Sequence, residues 1–127
     1  MENIILDGTA KTPSVSFDFS RGVLELKGRS IPENSVEFYK PLNEWVVDYL
    51  DSPKGKTLVE IKLEYFNTSS SKCILDLFKQ LEVLSQKGAE VYVNWYFEQD
   101  DEDMQEAGED FQAILKIPFN MIEVEEI

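Results

Sequence analysis

The chain has 127 residues, room for one domain, and its 43% apolar and 29% charged residues suit a chain that folds around a core. With no histidine and one cysteine it has no imidazole base, no serine-type or papain-type triad, no intrachain disulfide and no thiolate cluster for zinc. The net charge of −13 is uneven: residues 1–87 carry 11 basic and 13 acidic side chains, whereas residues 88–127 carry Lys116 alone against 12 acids, a segment that repels nucleic acid and anionic lipid.

The first apolar run, Ile4-Ile5-Leu6, is a short candidate strand, followed at once by Asp7, so it does not read as a signal peptide. No stretch approaches 18 apolar residues. A soluble, cytoplasmic protein with no membrane and no nucleic-acid partner is expected. Val15, Phe17 and Phe19 alternate with Ser16 and Asp18, which predicts a strand. Arg21-Gly22 joins it to Val23–Leu26 as a hairpin whose second strand ends near Gly28. Ser30-Ile31-Pro32-Glu33 has capping-box spacing, and Phe38, Leu42, Trp45, Val46 and Tyr49 recur at helical intervals. Pro41 interrupts that pattern, so the helix is placed at about 41–50.

Leu58–Phe66 alternates as a strand, and Asn67-Thr68-Ser69-Ser70-Ser71 then forms a strand-to-helix junction with several candidate caps. A helix over about 69–87 carries Ile74, Leu77, Phe78, Leu81 and Leu84, and Lys87-Gly88 ends it. Val91–Phe97 is apolar on both parities, which predicts an interior strand covered on both faces. The acidic run Glu98–Asp103 opens a third helix, about 102–116, with four acids in its first turn and Gly108 weakening its middle. Phe119–Val124 is a final strand. This order implies an α/β fold, a mixed sheet with amphipathic helices that bury Trp45, Leu77, Leu81 and Phe111.

Thr68–Ser71 is the strongest generic site, because up to four backbone N–H groups lack helical partners there and favour an anion or a phosphorylated side chain. Lys72 lies close by. A plain helix cap is the simpler reading, although four consecutive hydroxyls exceed what a cap needs. No glycine-rich run precedes Lys72, so this is not a P-loop, and no dinucleotide fingerprint exists; no cofactor is expected. Asp100-Asp101-Glu102-Asp103 lacks EF-hand spacing and reads as a solvated first turn, with a weak magnesium site or a docking face for basic residues on Glu102, Glu106, Glu109 and Asp110 as the lesser alternatives, so no metal is expected. Cys73, beside Ile74, reads as buried core. The aromatics Tyr39, Trp45, Tyr92, Trp95, Tyr96 and Phe97 read as core packing, since a stacking platform for bases needs a positive groove.

Three blocks stand out in chain order: Gly28–Asn34 with Phe38-Tyr39, Pro41, Trp45 and Tyr49; Tyr65–Lys72; and Trp95-Tyr96-Phe97 with Asp100–Met104 and Glu106–Phe111. Together they resemble the SiaC family of bacterial regulatory phosphoproteins. The resemblance implies one STAS-like domain over residues 1–127, with helices packed mainly on one face of a mixed sheet. It also implies a non-enzymatic switch: Thr68 phosphorylated by a cognate serine/threonine kinase, dephosphorylated by a PP2C-type phosphatase, and the unphosphorylated form bound to a diguanylate cyclase that controls cyclic di-GMP and biofilm formation. Asn34, Asn67, Ser69, Ser70 and Lys72 would then face partners, with Asp101, Glu102 and Asp103 assisting electrostatically. A constitutive scaffold and a carboxylate-based enzyme are the alternatives.

Overall fold

A computed structural model describes residues 1–127. The elements run β1 (Ile4–Leu6), β2 (Ser14–Asp18), β3 (Val23–Ser30), α1 (Ser35–Tyr49), β4 (Lys56–Phe66), α2 (Thr68–Gln86), β5 (Glu90–Glu98), α3 (Glu102–Ile114) and β6 (Phe119–Val124). All six strands join one sheet in the order β1-β2-β3-β4-β5-β6. The first two pairings are antiparallel and the last three parallel, which makes the expected mixed sheet. Asp18–Gly22 closes the β2–β3 hairpin, with Gly22 at φ 65° donating its N–H to the Asp18 carbonyl at 2.9 Å.

Each parallel connection steps one strand further in the same direction, so connections of one hand, the right hand that strand twist favours, stack every helix on the same face. The core accordingly joins Val59, Ile61, Leu63, Val91, Val93 and Trp95 from one parity of β4 and β5 to the apolar stripes of all three helices. Trp45, Leu77, Leu81 and Phe111 are buried as expected, and so is Cys73. β5 lies between β4 and β6, in the interior of the sheet as expected.

The other sheet face is bare, which corrects the expectation that β5 is covered on both sides. Tyr92, Asn94 and Tyr96 are only half-buried. Tyr92 and Tyr96 count as apolar in a pattern, yet here Lys56 and Lys62 lie over their rings at 5.2 and 5.1 Å, and Asn120 donates to Asn94 at 3.0 Å. The core reading therefore holds for Tyr39, Trp45, Trp95 and Phe97 but not for these two tyrosines.

Three boundaries also differ. Ser30 is not a helix cap: it ends β3, fully buried, and the α1 cap is Asn34, whose side chain accepts from the Glu37 N–H at 3.1 Å. Helix α1 therefore starts before Pro41 and runs through it. Proline removes the bond to the Glu37 carbonyl, but both residues are exposed, so water serves that oxygen while Tyr39, Leu42, Trp45, Val46 and Tyr49 hold the helix down. At α3 the acidic run is divided: Glu98 ends β5, Asp100 takes a left-handed φ of 66°, and Asp101 caps. Two acids, Glu102 and Asp103, rather than four occupy the first turn.

Gly108 is where α3 meets the sheet. A Cβ there would sit 2.5 Å from Trp95 Cδ1 and 2.7 Å from Met121 Cε. Trp95 cannot yield: it is fully buried, and its Nε1 donates to the Met104 carbonyl at 3.0 Å. Gly108→Ala should therefore destabilise the protein by about 1–3 kcal/mol despite alanine's better helix propensity, read as a lowered melting temperature. An unchanged or raised melting temperature would show that α3 is free to shift.

Candidate functional site

Parallel strands β3, β4 and β5 all end at one edge of the sheet, and each is followed directly by a helix. The N-termini of α1, α2 and α3 are thereby brought to that edge together. Their caps are Asn34, Asn67 and Asp101, each accepting a backbone N–H of its own first turn at 3.1, 2.9 and 3.1 Å. Each is a short polar residue at the entry to an amphipathic run, the type that caps best.

Between α1 and α2 lies a network of hydroxyls whose direction follows from one proton per hydroxyl. Ser70 Oγ donates to the Ser30 carbonyl at 3.0 Å, and Ser30 Oγ donates to Ser70 Oγ at 2.9 Å. Tyr39, 2.7 Å from Ser30 Oγ, must therefore be the donor of that pair. Ser69 Oγ donates to Asn67 Oδ1 at 3.2 Å, so Ser35, 2.7 Å away, donates to Ser69. Ser30, Ser35 and Ser70 are buried, and the Ser35–Ser69 bond ties the start of α1 to the start of α2.

Ser70, expected on the partner-facing surface, is thus committed to the interior. Its burial is set by Ser30, 40 residues away, which no local pattern reveals. Ser30, Ser35 and Tyr39 are the members that sequence reasoning missed as a site; Tyr39, on the same helical stripe as Leu42, carried the only legible signal. Thr68, Ser69 and Lys72 are exposed, and Thr68 enters none of these bonds. Asn67 takes the N–H of Ser70 on its side chain and that of Ser71 on its carbonyl, so the N–H groups of Thr68 and Ser69 are left open, two rather than four. Asn34, Asp101, Glu102 and Asp103 share the same sheet edge, with Glu102 and Asp103 exposed.

Burial pushes the Tyr39 phenol up to about 12. Burial, and after it the charge of Asp76, raises the Cys73 thiol and keeps it protonated, a poor nucleophile. No group of three or more His, Cys, Asp or Glu side chains is arranged to hold a metal, and no helix is long and apolar enough to cross a membrane.

Fold and site together define a one-sided α/β layer that presents an exposed hydroxyl at a helix start. The chain belongs to the SiaC family of regulatory phosphoproteins, whose family model matches residues 6–124. It is similar to apo-SiaC of Pseudomonas aeruginosa, at 31% identity and a TM-score of 0.88 over 96% of this chain and 99% of that one. It is equally similar to SiaC in the crystal structure of the diguanylate cyclase SiaD with its activator SiaC from the same organism, at 30% identity and a TM-score of 0.90 over 95% and 99%. A protein of Pseudomonas aeruginosa strain UCBPP-PA14 is 32% identical over 119 residues, 94% of both chains.

Two outcomes test the network. Ser70→Ala should cost about 1–3 kcal/mol by leaving the buried Ser30 hydroxyl without its acceptor, the Ser30 carbonyl keeping the Asn67 N–H at 3.0 Å, while Thr68→Ala should stay within about 0.5 kcal/mol, both measured by denaturant unfolding. Since Tyr39 binds its proton more tightly folded than unfolded, stability should be level below about pH 10 and fall between pH 10 and 12. Tyr39→Phe should remove part of that fall. Tyr96, also raised to about 12 by burial and by the neighbouring Glu60, should leave the remainder.

Proposed function

We propose that this protein is a non-enzymatic switch that binds and activates a diguanylate cyclase when Thr68 is a free hydroxyl and releases it when Thr68 is phosphorylated. In the cytoplasm a cognate serine/threonine kinase adds the phosphate and a PP2C-type phosphatase removes it, and the cyclase output, cyclic di-GMP, governs biofilm formation. The observation that carries this reading is the exposed Thr68 hydroxyl at the first position of α2, beside two open N–H groups, in a chain of a regulatory phosphoprotein family. The complex of SiaC with SiaD supports the choice of partner.

The physical logic is asymmetric. A phosphate adds nearly two negative charges and three acceptors, and an exposed helix N-terminus stabilises such a group by about 0.3–1 kcal/mol. A partner surface closed over a neutral hydroxyl must instead bury a dianion, which costs at least a few kcal/mol. Unmodified and stoichiometrically phosphorylated protein should be titrated calorimetrically against the cyclase and melted in parallel. Affinity should fall by more than about a hundredfold with little change in melting temperature. Equal affinities, or phosphate incorporated only at Ser69 or Ser71, would overturn the assignment.

A further inference from the structure

The bare face of the sheet is ordered in rows that run across the strands, and two adjacent rows carry opposite charge. The strand registers place Glu25 beside Glu60 and continue that row through Asn94 to Asn120. Two residues further along the strands Lys27 lies beside Lys62, whose ammonium sits 5.1 Å above the Tyr96 ring. Within one chain these charges do not all pair. Lys62 bonds Glu25 at 3.0 Å, the single ion pair of the molecule. Lys27 is left exposed without an acid, and Glu60 keeps its Oε2 buried without a donor. The two rows are locally neutral, with two lysines against two glutamates, on a chain of net charge −13.

We infer that this face is a contact between two copies of the chain. Sheets stack face to face about 10 Å apart with their strands nearly aligned. A second copy laid on the first with its strands antiparallel, the two-fold axis lying between the rows, sets each glutamate row over the other copy's lysine row. Lys27 of the second copy then faces Glu25, and Glu60 of the second copy faces Lys62. The groups that one copy leaves unpaired thus extend the ion pair of the other into a string of four alternating charges. The two-fold generates a second such string, and the buried Glu60 oxygen gains an ammonium as its donor. A partner for this face must carry both signs in the reverse order at the same spacing, and the face supplies that order to itself. Its local neutrality also makes it a surface where two acidic chains meet with little repulsion. Strands β2 to β6 offer about 500 Å² per copy, or about 1,000 Å² in all, which is near the lower bound for a specific interface. The dimer is therefore reversible, with a Kd above about 1 μM, and the face stays polar enough to stand in water alone. The two-fold points the strand ends in opposite directions, so the Thr68 edges lie at opposite ends of the pair and remain open.

Sedimentation equilibrium of the full-length, unmodified protein from about 1 μM to about 1 mM tests the contact. The parent should dimerise within that range, about tenfold more weakly at about 0.5 M salt than at about 0.05 M. Two variants each invert one row: Glu25→Lys with Glu60→Lys, and Lys27→Glu with Lys62→Glu. Either alone sets like charges across the two-fold and should weaken self-association by about tenfold or more, whereas the two mixed in equal amounts are complementary and should dimerise again. Lys79→Glu, exposed on α2, makes a charge change on the helix layer and should alter the association by less than about twofold. Melting curves check that each variant folds; if a double variant does not, the exposed Lys27→Gln reads the same contact as a loss of about threefold. A parent that stays monomeric throughout, a dimer that no row variant weakens, or folded inverted variants that fail to combine would overturn the inference.

Discussion

Three successive β-α-β connections of one hand, all stepping across the sheet in the same direction, constrain everything else in this molecule. They force α1, α2 and α3 onto one face, so a single apolar core serves the three helices and one parity of the strands. They also aim every helix N-terminus at the same sheet edge, where polar backbone groups are left to be satisfied by caps. The location of the site follows from this topology rather than from any long loop. The bare opposite face follows from it as well, and Lys–Tyr contacts, an Asn–Asn bond and one ion pair keep that face wettable.

Within that frame the hydroxyl network separates two duties that lie within three residues of each other. Ser70 turns inward and, through Ser30 and Tyr39, joins α2 to β3 and α1; Thr68 turns outward and holds nothing. A buried polar network is costly if half-satisfied, so its members are poor places for modification. A residue outside it can change charge without disturbing the fold. The junction is therefore rigid beneath and free above, which is what a modification site read by another protein requires.

The strands and the two long amphipathic helices were legible because their signals are periodic and local. The errors at Ser30 and Gly108 share one cause, in that a deciding partner lies far away in sequence. Ser30 has capping-box spacing, but Tyr39 and Ser70 draw it into the core. Pro41 suggests a helix start, but the apolar stripe on both sides of it outweighs one lost hydrogen bond. Gly108 looks like a weak point and is instead the only residue that fits against the Trp95 ring. At the site, Asn67 and Thr68 were readable from the junction itself. That Lys40 and Glu44 of α1 line one groove with Lys72 and Asp76 of α2 depends on the register of two helices, which no window of sequence contains.

The charge of the whole chain bears on how local the switch must be. At −13 the protein already repels anions at long range, so one more phosphate changes its overall field little. At physiological ionic strength that field is screened over about 8 Å, so the acidic α3 start would act mainly on the rate of encounter with any basic partner. Groups within a turn or two of Thr68 are screened far less. There the sign is reversed, since the open N–H groups of Thr68 and Ser69 and the Lys72 ammonium make a small electropositive corner on an acidic surface. A phosphate at Thr68 cancels that corner and leaves the rest of the surface as it was. Binding that depends on the corner would then be lost while fold and long-range charge are retained, and this locality is what the proposed switch at one hydroxyl of a strongly acidic protein requires.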